Sequence, residues 1–209
     1  HRVRVCAEPV GVVVSPDERA VYVACAMDAR VVRVDALTRA VTGTARTPDK
    51  PWSLGWSGDG RALYASHLLG PGVSAIDPAS LRVTATYGLA PLPRAADARL
   101  PNGESRGLYD VAPRPHSPEL WVPHLLLSTE TAQRPVREGS DALELNFETT
   151  VFPAVSVLGE GGARSAWMSV ASTGVDLATR RRFGLQHITS GPHAIDFTPD
   201  GRWALVASA

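Results

Sequence analysis

The sequence predicts an all-β fold, a β-propeller of four-stranded antiparallel blades, on three observations. One is an internal repeat: Pro9 and Pro51, Asp17 and Asp59, Val21 and Leu63, and Asp35 and Asp77 all stand 42 positions apart. A constant period near 40 residues marks a repeat architecture. Another is turn chemistry at a fixed place in each repeat, Ser15-Pro16-Asp17-Glu18 and Ser57-Gly58-Asp59-Gly60. There proline presets φ and aspartate bonds its own backbone. The third is a set of short apolar, β-branched runs between the turns, too short for helices.

Within the first repeat, Val10 to Val14 reads as the first strand, Ala20 to Ala24 as the second, Arg30 to Asp35 as the third and Val41 to Ala45 as the fourth. Four short strands in roughly 40 residues make one blade. The outer strands alternate with polar residues (Thr42, Thr44, Arg82, Thr84, Thr86), as expected where one face meets water. Blades are therefore expected near 9–50 and 51–92.

The period then breaks. Ala90 to Glu104 is rich in proline, alanine and charge, and is read as an inserted loop near 90–105. Gly107 to Ala112 supplies a first strand and Leu120 to Val122 a second. Ser128 to Phe147 is a polar, acidic insertion (near 128–147), and Thr150 to Leu158 returns to an apolar strand. Ala166 to Ala171 is a further candidate strand, and Arg180 to Gly191 a connection. These place a third repeat near 107–160. The motif returns from Pro192 to Ala207, giving a fourth near 192–209. Leu120 and Ala204 lie 84 positions apart, twice the period. One blade with a long insertion is the preferred reading, two irregular blades the other. Closed propellers have about 4–8 blades. With about four blade starts, the expectation is a single propeller domain over 1–209 that is a fragment of a larger, seven-bladed type. His1 to Ala7 is read as the last strand of an earlier blade.

Composition narrows the function classes. The 21 basic and 21 acidic residues of the 209 cancel, which argues against broad electrostatic binding of nucleic acid. Arg180 to Arg182 form a local basic run of the kind a solvated turn carries. No apolar run approaches the roughly 18–20 residues that span a bilayer. The first residue is His1, which leaves the presence of a signal peptide open. Cys6 and Cys25 are compatible with a disulfide in an exported protein and equally with two buried thiols. No Cys-x-x-Cys-His sequence occurs, so no c-type haem is attached within this segment.

The pattern of Pro9, Ser15-Pro16-Asp17, Arg19, Val21-Tyr22-Val23-Ala24 and Val34-Asp35 resembles the YVTN-type β-propeller repeat of bacterial surface and periplasmic proteins. The likeness covers Pro9 to Leu89 and Pro192 to Ala207 well, and Gly107 to Leu158 loosely. A narrower resemblance lies in Leu120-Trp121-Val122-Pro123-His124 with Phe147 to Leu158. This stretch is similar to propellers joined to di-haem cytochrome c peroxidase or MauG-like domains. That resemblance implies periplasmic or cell-surface localisation, electron transfer and a haem-bearing redox domain outside this segment.

Candidate chemistry rests on histidines. His67 follows the second strand of the second repeat, His124 holds nearly the same place in the third, and His193 opens the first strand of the fourth. In a propeller these positions share one rim, so the three imidazoles are candidate metal ligands at the channel mouth. The competing reading is packing and surface histidines, to which His116 and His187 also belong. Asp17, Asp59 and Asp200, like Asp35 and Asp77, recur in turns and are read as turn-makers. Trp52, Trp56, Trp121 and Trp203 are read as inter-blade core. No Gly-x-Ser-x-Gly, P-loop or dinucleotide motif is present.

The resulting expectation is a non-catalytic docking platform of an exported bacterial protein, bound to a protein partner or a covalently linked redox domain. No cofactor is expected within the segment itself, beyond the metal considered for the three histidines. One alternative is a propeller enzyme with a channel-mouth site, a lactonase-like hydrolase or metal-dependent oxidoreductase, to which Pro192-His193 with Thr198 to Arg202 bears a resemblance. Another is a structural cell-surface repeat protein.

Overall fold

The computed structural model describes residues 2–70, 72–89, 91–92, 102–128, 151–159 and 191–208, with the backbone alone for 162–166. These residues form strands and turns with no helix among them. In the first repeat β1 (Pro9–Val14), β2 (Ala20–Cys25), β3 (Arg30–Asp35) and β4 (Val41–Arg46) make one antiparallel sheet in that order. In the second, β5 (Pro51–Trp56), β6 (Leu63–His67), β7 (Gly72–Asp77) and β8 (Arg82–Gly88) repeat it. The register repeats as well: Val14 opposes Val21 and Trp56 opposes Leu63.

The recurring aspartates build the first hairpin of the first, second and fourth repeats. Ser15 Oγ donates to Asp17 Oδ1 at 2.6 Å, Arg19 N to the same oxygen at 3.1 Å, and Ala20 N to Ser15 Oγ at 2.9 Å. Ser57, Asp59, Arg61 and Ala62 repeat the set at 2.6, 3.0 and 2.9 Å. Thr198, Asp200, Arg202 and Trp203 repeat it at 2.5, 3.1 and 3.2 Å. The hydroxyl donor, then the backbone N–H, holds each of these carboxyls below its ordinary pKa.

The third sheet departs from the expected plan. It contains β9 (Glu104–Arg106), β10 (Ala112–Pro113), β11 (Leu120–Leu127), β12 (Val151–Gly159) and β13 (Gly162–Ala166). The strand expected over 107–112 shrinks to β10, because segment 107–111 hydrogen-bonds elsewhere. Gly107 N donates to Leu68 O, and Val111 N to the Asp110 carboxylate. The far half of β11 is paired instead by β9, with Leu126 opposite Ser105. Glu104 and Ser105, placed in a loop by the sequence reading, are thus ladder residues. Strands β14 (Pro192–Phe197) and β15 (Ala204–Ser208) form the fourth sheet, with Phe197 opposite Ala204. The insertion after Ser128, the tail of the 166–171 candidate strand and Arg180 to Arg182 lie outside the described residues.

Two further expectations change. Residues 2–7 form no strand; Val5 and Cys6 pack as a cover on Val23, Val32 and Val34 of the first sheet. Trp203 is 68% exposed rather than inter-blade core.

Sheets meet face to face. Tyr22, Ala24 and Val31 of the first sheet pack on Leu54, Leu63, Ala65 and Ile76 of the second. Tyr64 and Val73 of the second pack on Leu120, Val122 and Leu158 of the third. Trp121 and Val155 of the third pack on Ile195, Phe197 and Val206 of the fourth. An edge-to-face aromatic pair recurs at equivalent positions, Tyr22–Trp56 at 5.2 Å and Trp121–Phe197 at 5.3 Å between ring centres.

The inner strands approach closely: a Cβ on Gly11 would lie 2.3 Å from Trp52 O. Gly72 opens β7 at φ +146°, and a Cβ there would fall 1.9 Å from Tyr87 O. Gly72→Ala is expected to cost about 1–3 kcal/mol through backbone strain and the displaced β8. Urea unfolding monitored by tryptophan fluorescence checks it, and an unchanged midpoint would refute the reading.

Candidate functional site

His67 ends β6 and His124 lies in β11; both side chains are completely buried. They occupy matching places on equivalent strands, on the face that each sheet turns toward the preceding one. His67 Nδ1 lies 3.2 Å from Asp49 O and Nε2 lies 2.8 Å from Ser74 Oγ. His124 Nδ1 lies 3.1 Å from Leu125 O and Nε2 lies 2.8 Å from Ser156 Oγ. A carbonyl only accepts, so Nδ1 carries the proton in each ring and the serine hydroxyl donates to Nε2. Both ring nitrogens are therefore engaged by the protein. Each His–Ser pair links the second strand of its blade to the third.

Cys25 fills the same position in the first sheet: Pro9 opposes Cys25 as Pro51 opposes His67. Cys25 forms a disulfide with Cys6, with Cα atoms 6.0 Å apart, which resolves the two readings of the cysteines. One rim position is thus tied covalently in the first sheet and by a His–Ser hydrogen bond in the second and third.

His193 is exposed at the start of β14. The three histidines do not come together: among the described residues no group of three His, Cys, Asp or Glu side chains is placed to hold a metal ion. His116 is exposed in a turn at φ 58°, and His187 is outside the described residues.

Burial lowers the pKa of His67, against smaller opposing hydrogen bonds from the Asp49 and Pro48 backbone. Burial likewise lowers that of His124. The sign follows from linkage. The unfolded chain takes up these protons at a higher pH than the folded one, so stability is fully present above about pH 6.5. It falls as the pH drops below that value toward the lowered folded pKa. A melting temperature that declines from about pH 6.5 downward, less steeply in the His124→Gln variant, is the expected result.

A residue that sequence reasoning missed joins three sheets. Asp110 Oδ1 accepts from Ser53 Oγ at 2.6 Å, and Asp110 Oδ2 accepts from Ile195 N at 2.9 Å. Its only sequence signal is position, since it stands where Gly11 and Ser53 stand in the earlier repeats.

On the rim of the hairpin turns, the first two sheets border an open groove of about 550 Å³. Tyr22 and Trp56 form its base, and Asp17, Arg19, Asp35 and Asp59 its lips. Two of its lining side chains are tied across the sheets: Trp56 Nε1 donates to Val14 O at 2.7 Å and Arg33 Nη1 to Pro78 O at 3.2 Å.

Two four-stranded sheets, a five-stranded one and a two-stranded one, packed face to face in chain order, are part of a β-propeller. Solved structures agree in fold. The chain is similar to Kuenenia stuttgartiensis hydrazine synthase, at 18% identity and a TM-score of 0.55 over 98% of this chain and 62% of that one. It is similar to the dihydro-haem d1 dehydrogenase NirN, at 18% identity and 0.54 over 95% and 32%. It is also similar to the β-propeller domain of Cps50 (Swd1) from Myceliophteria thermophila, at 14% and 0.57 over 96% and 49%. The chain thus spans less than two thirds of each. No protein-family model matches it, and no curated protein matches its sequence.

Proposed function

We propose that this chain is a non-catalytic docking platform of an exported bacterial protein, a YVTN-type propeller that receives a cytochrome c peroxidase-like redox domain. The observation that carries the reading is the groove between the first two sheets. Its aromatic base and mixed-charge lips suit a protein segment, because aromatic anchors in a rigid pocket supply most binding energy and rim charges supply orientation. His67 and His124 support it from the other side: both are committed to holding their blades. The Cys6–Cys25 disulfide favours an oxidising compartment, periplasm or cell surface. The haem partner is carried over from the di-haem peroxidase-type resemblance, and NirN offers a propeller fold in a haem d1 enzyme.

Two measurements test it. Absorption spectra of the full-length protein and of residues 1–209 are expected to show haem in the former and none in the latter. Calorimetric titration of residues 1–209 with a purified di-haem cytochrome c peroxidase domain should then show saturable binding. Ala79→Arg places a cation into the groove from an exposed turn and is expected to weaken binding at least tenfold. Binding that is absent, or indifferent to Ala79→Arg, overturns the groove as the docking site.

A further inference from the structure

The groove between the first two sheets has a counterpart between the third and fourth, and there the protein supplies its own occupant. Ser15, Ala20 and Tyr22 correspond to Arg114, Glu119 and Trp121, each pair 99 positions apart. Ser15 N donates to Ala20 O as Arg114 N does to Glu119 O, and Val14 opposes Val21 as Pro113 opposes Leu120. On the facing sheets Trp56 and Gly60 correspond to Phe197 and Gly201, each pair 141 positions apart. Both glycines hold a positive φ, +70° and +65°, in the same turn.

In the later junction Arg114 spans the two sheets. Its Nε donates to Gly201 O at 3.0 Å and its Nη1 to Glu119 Oε2 at 2.9 Å. Trp121 Nε1 donates to the same carboxylate oxygen at 3.3 Å, which sets the guanidinium beside the Trp121–Phe197 pair. A guanidinium suits this place, because its planar fork bonds a carbonyl and a carboxylate at once and stacks on aromatic rings.

In the earlier junction the aromatic pair and the glycine turn are kept, and the occupant is not. Ser15 stands for Arg114 and Ala20 for Glu119, and both small residues line the groove of about 550 Å³ together with Tyr22, Trp56 and Gly60. Both sheets that border it carry four strands. The lips supply a carboxylate in place of Glu119, since Asp17, Asp35 and Asp59 outnumber Arg19 and Arg33 there. Arg33 is already engaged by the Thr42 hydroxyl and the Pro78 carbonyl. Asp17 and Asp35 make their turn bonds through Oδ1, and among the described residues no hydrogen bond or ion pair reaches their Oδ2 atoms.

We propose that this groove takes an arginine side chain of the partner segment. The guanidinium sits beside Tyr22 and Trp56 as that of Arg114 sits beside Trp121 and Phe197, bonded to the Gly60 carbonyl and to an aspartate of the lips. The inference rests on the groove being the docking site proposed above.

Two-dimensional NMR of the chain tests it through the Trp56 indole N–H, assigned by its loss in Trp56→Phe. Acetyl-Gly-Arg-Gly-amide is expected to shift this resonance saturably. The citrulline peptide keeps the shape without the charge, and is expected to bind about fivefold more weakly, as the loss of one exposed ion pair predicts. Ser15→Arg combined with Ala20→Glu installs the Arg114–Glu119 pair in the groove, and should abolish the response with circular dichroism unchanged. Ala79→Arg, on an exposed turn, leaves Ser15 and β2 untouched and should weaken it as a second block. Equal binding of the two peptides, a response that survives both blocks, or no response to the arginine peptide overturns the arginine anchor. If the di-haem peroxidase domain then still binds and still answers to Ala79→Arg, the docking groove stands without the anchor; if it does not, both fall.

Discussion

Replacing His124 by alanine is expected to lower stability by about 3 kcal/mol, as much as emptying a core leucine site. Two effects add. The imidazole is fully buried, so its removal leaves a cavity at the junction of the second and third sheets. It also strands the Ser156 hydroxyl, which donates to Nε2 at 2.8 Å; an unsatisfied buried polar group costs about 1–3 kcal/mol. Thermal unfolding should show a fall of roughly 6–12 °C, at about 2–4 °C per kcal/mol for a chain of this size. His116→Ala, in an exposed turn, should be neutral.

A double-mutant cycle with Ser156→Ala separates the cavity from the hydrogen bond. The expected coupling energy is about 1–2 kcal/mol, because Ser156→Ala alone removes a donor that His124 then lacks. The same cycle on His67 and Ser74 should give a similar value, since the 2.8 Å contact is the same. A His124→Ala protein that melts with the parent would remove the strut reading and return both histidines to candidacy as ligands.

The reasons these assignments were or were not legible in the sequence are physical. Turns and registers could be read because each depends on residues close in the chain. Asp17 bonds a hydroxyl two residues before it and an amide two residues after it, so a repeat of period 42 carries the hairpin with it. The rim position of His67 and His124 was legible for the same reason. What they do there was not, because the partner serine of His124 lies 32 residues away, across the long insertion. Asp110 was missed because two of its partners, Ser53 and Ile195, are in other sheets, 57 and 85 residues away. The third sheet was misjudged because Gly107 N bonds to Leu68 O, 39 residues earlier, and Val111 N to the adjacent Asp110 carboxylate, rather than to a strand ladder. Trp203 looked like core because a large aromatic beside a strand usually packs between blades, yet it is exposed along with Leu205. It stands just before β15, and the third sheet packs on Ala204 and Val206 instead.

Loss of the Cys6–Cys25 bond is expected to cost about 3 kcal/mol, the loop-closure value for a link spanning 19 residues. The bond fixes the cover formed by residues 2–7 onto the first sheet, where Val5 and Cys6 shield Val23, Val32 and Val34. Reduction should therefore release the cover and expose that valine face, raising binding of an apolar dye as the melting temperature falls. The two serine variants separate the contributions. Cys6→Ser removes the link from its partly exposed end, and should melt with the reduced parent chain. Cys25→Ser also places a hydroxyl at a fully buried site, where sulfur fits and no His–Ser pair substitutes for it, and should melt lower still. Hydrogen exchange would show where the loss falls: increased exchange should be confined to the first sheet, because the second and third hold the same rim position through His67 and His124. Equal melting of oxidised and reduced chains would mean that valine packing alone secures the cover. A loss spread evenly over all the sheets would mean that the disulfide sets the cooperativity of the whole propeller.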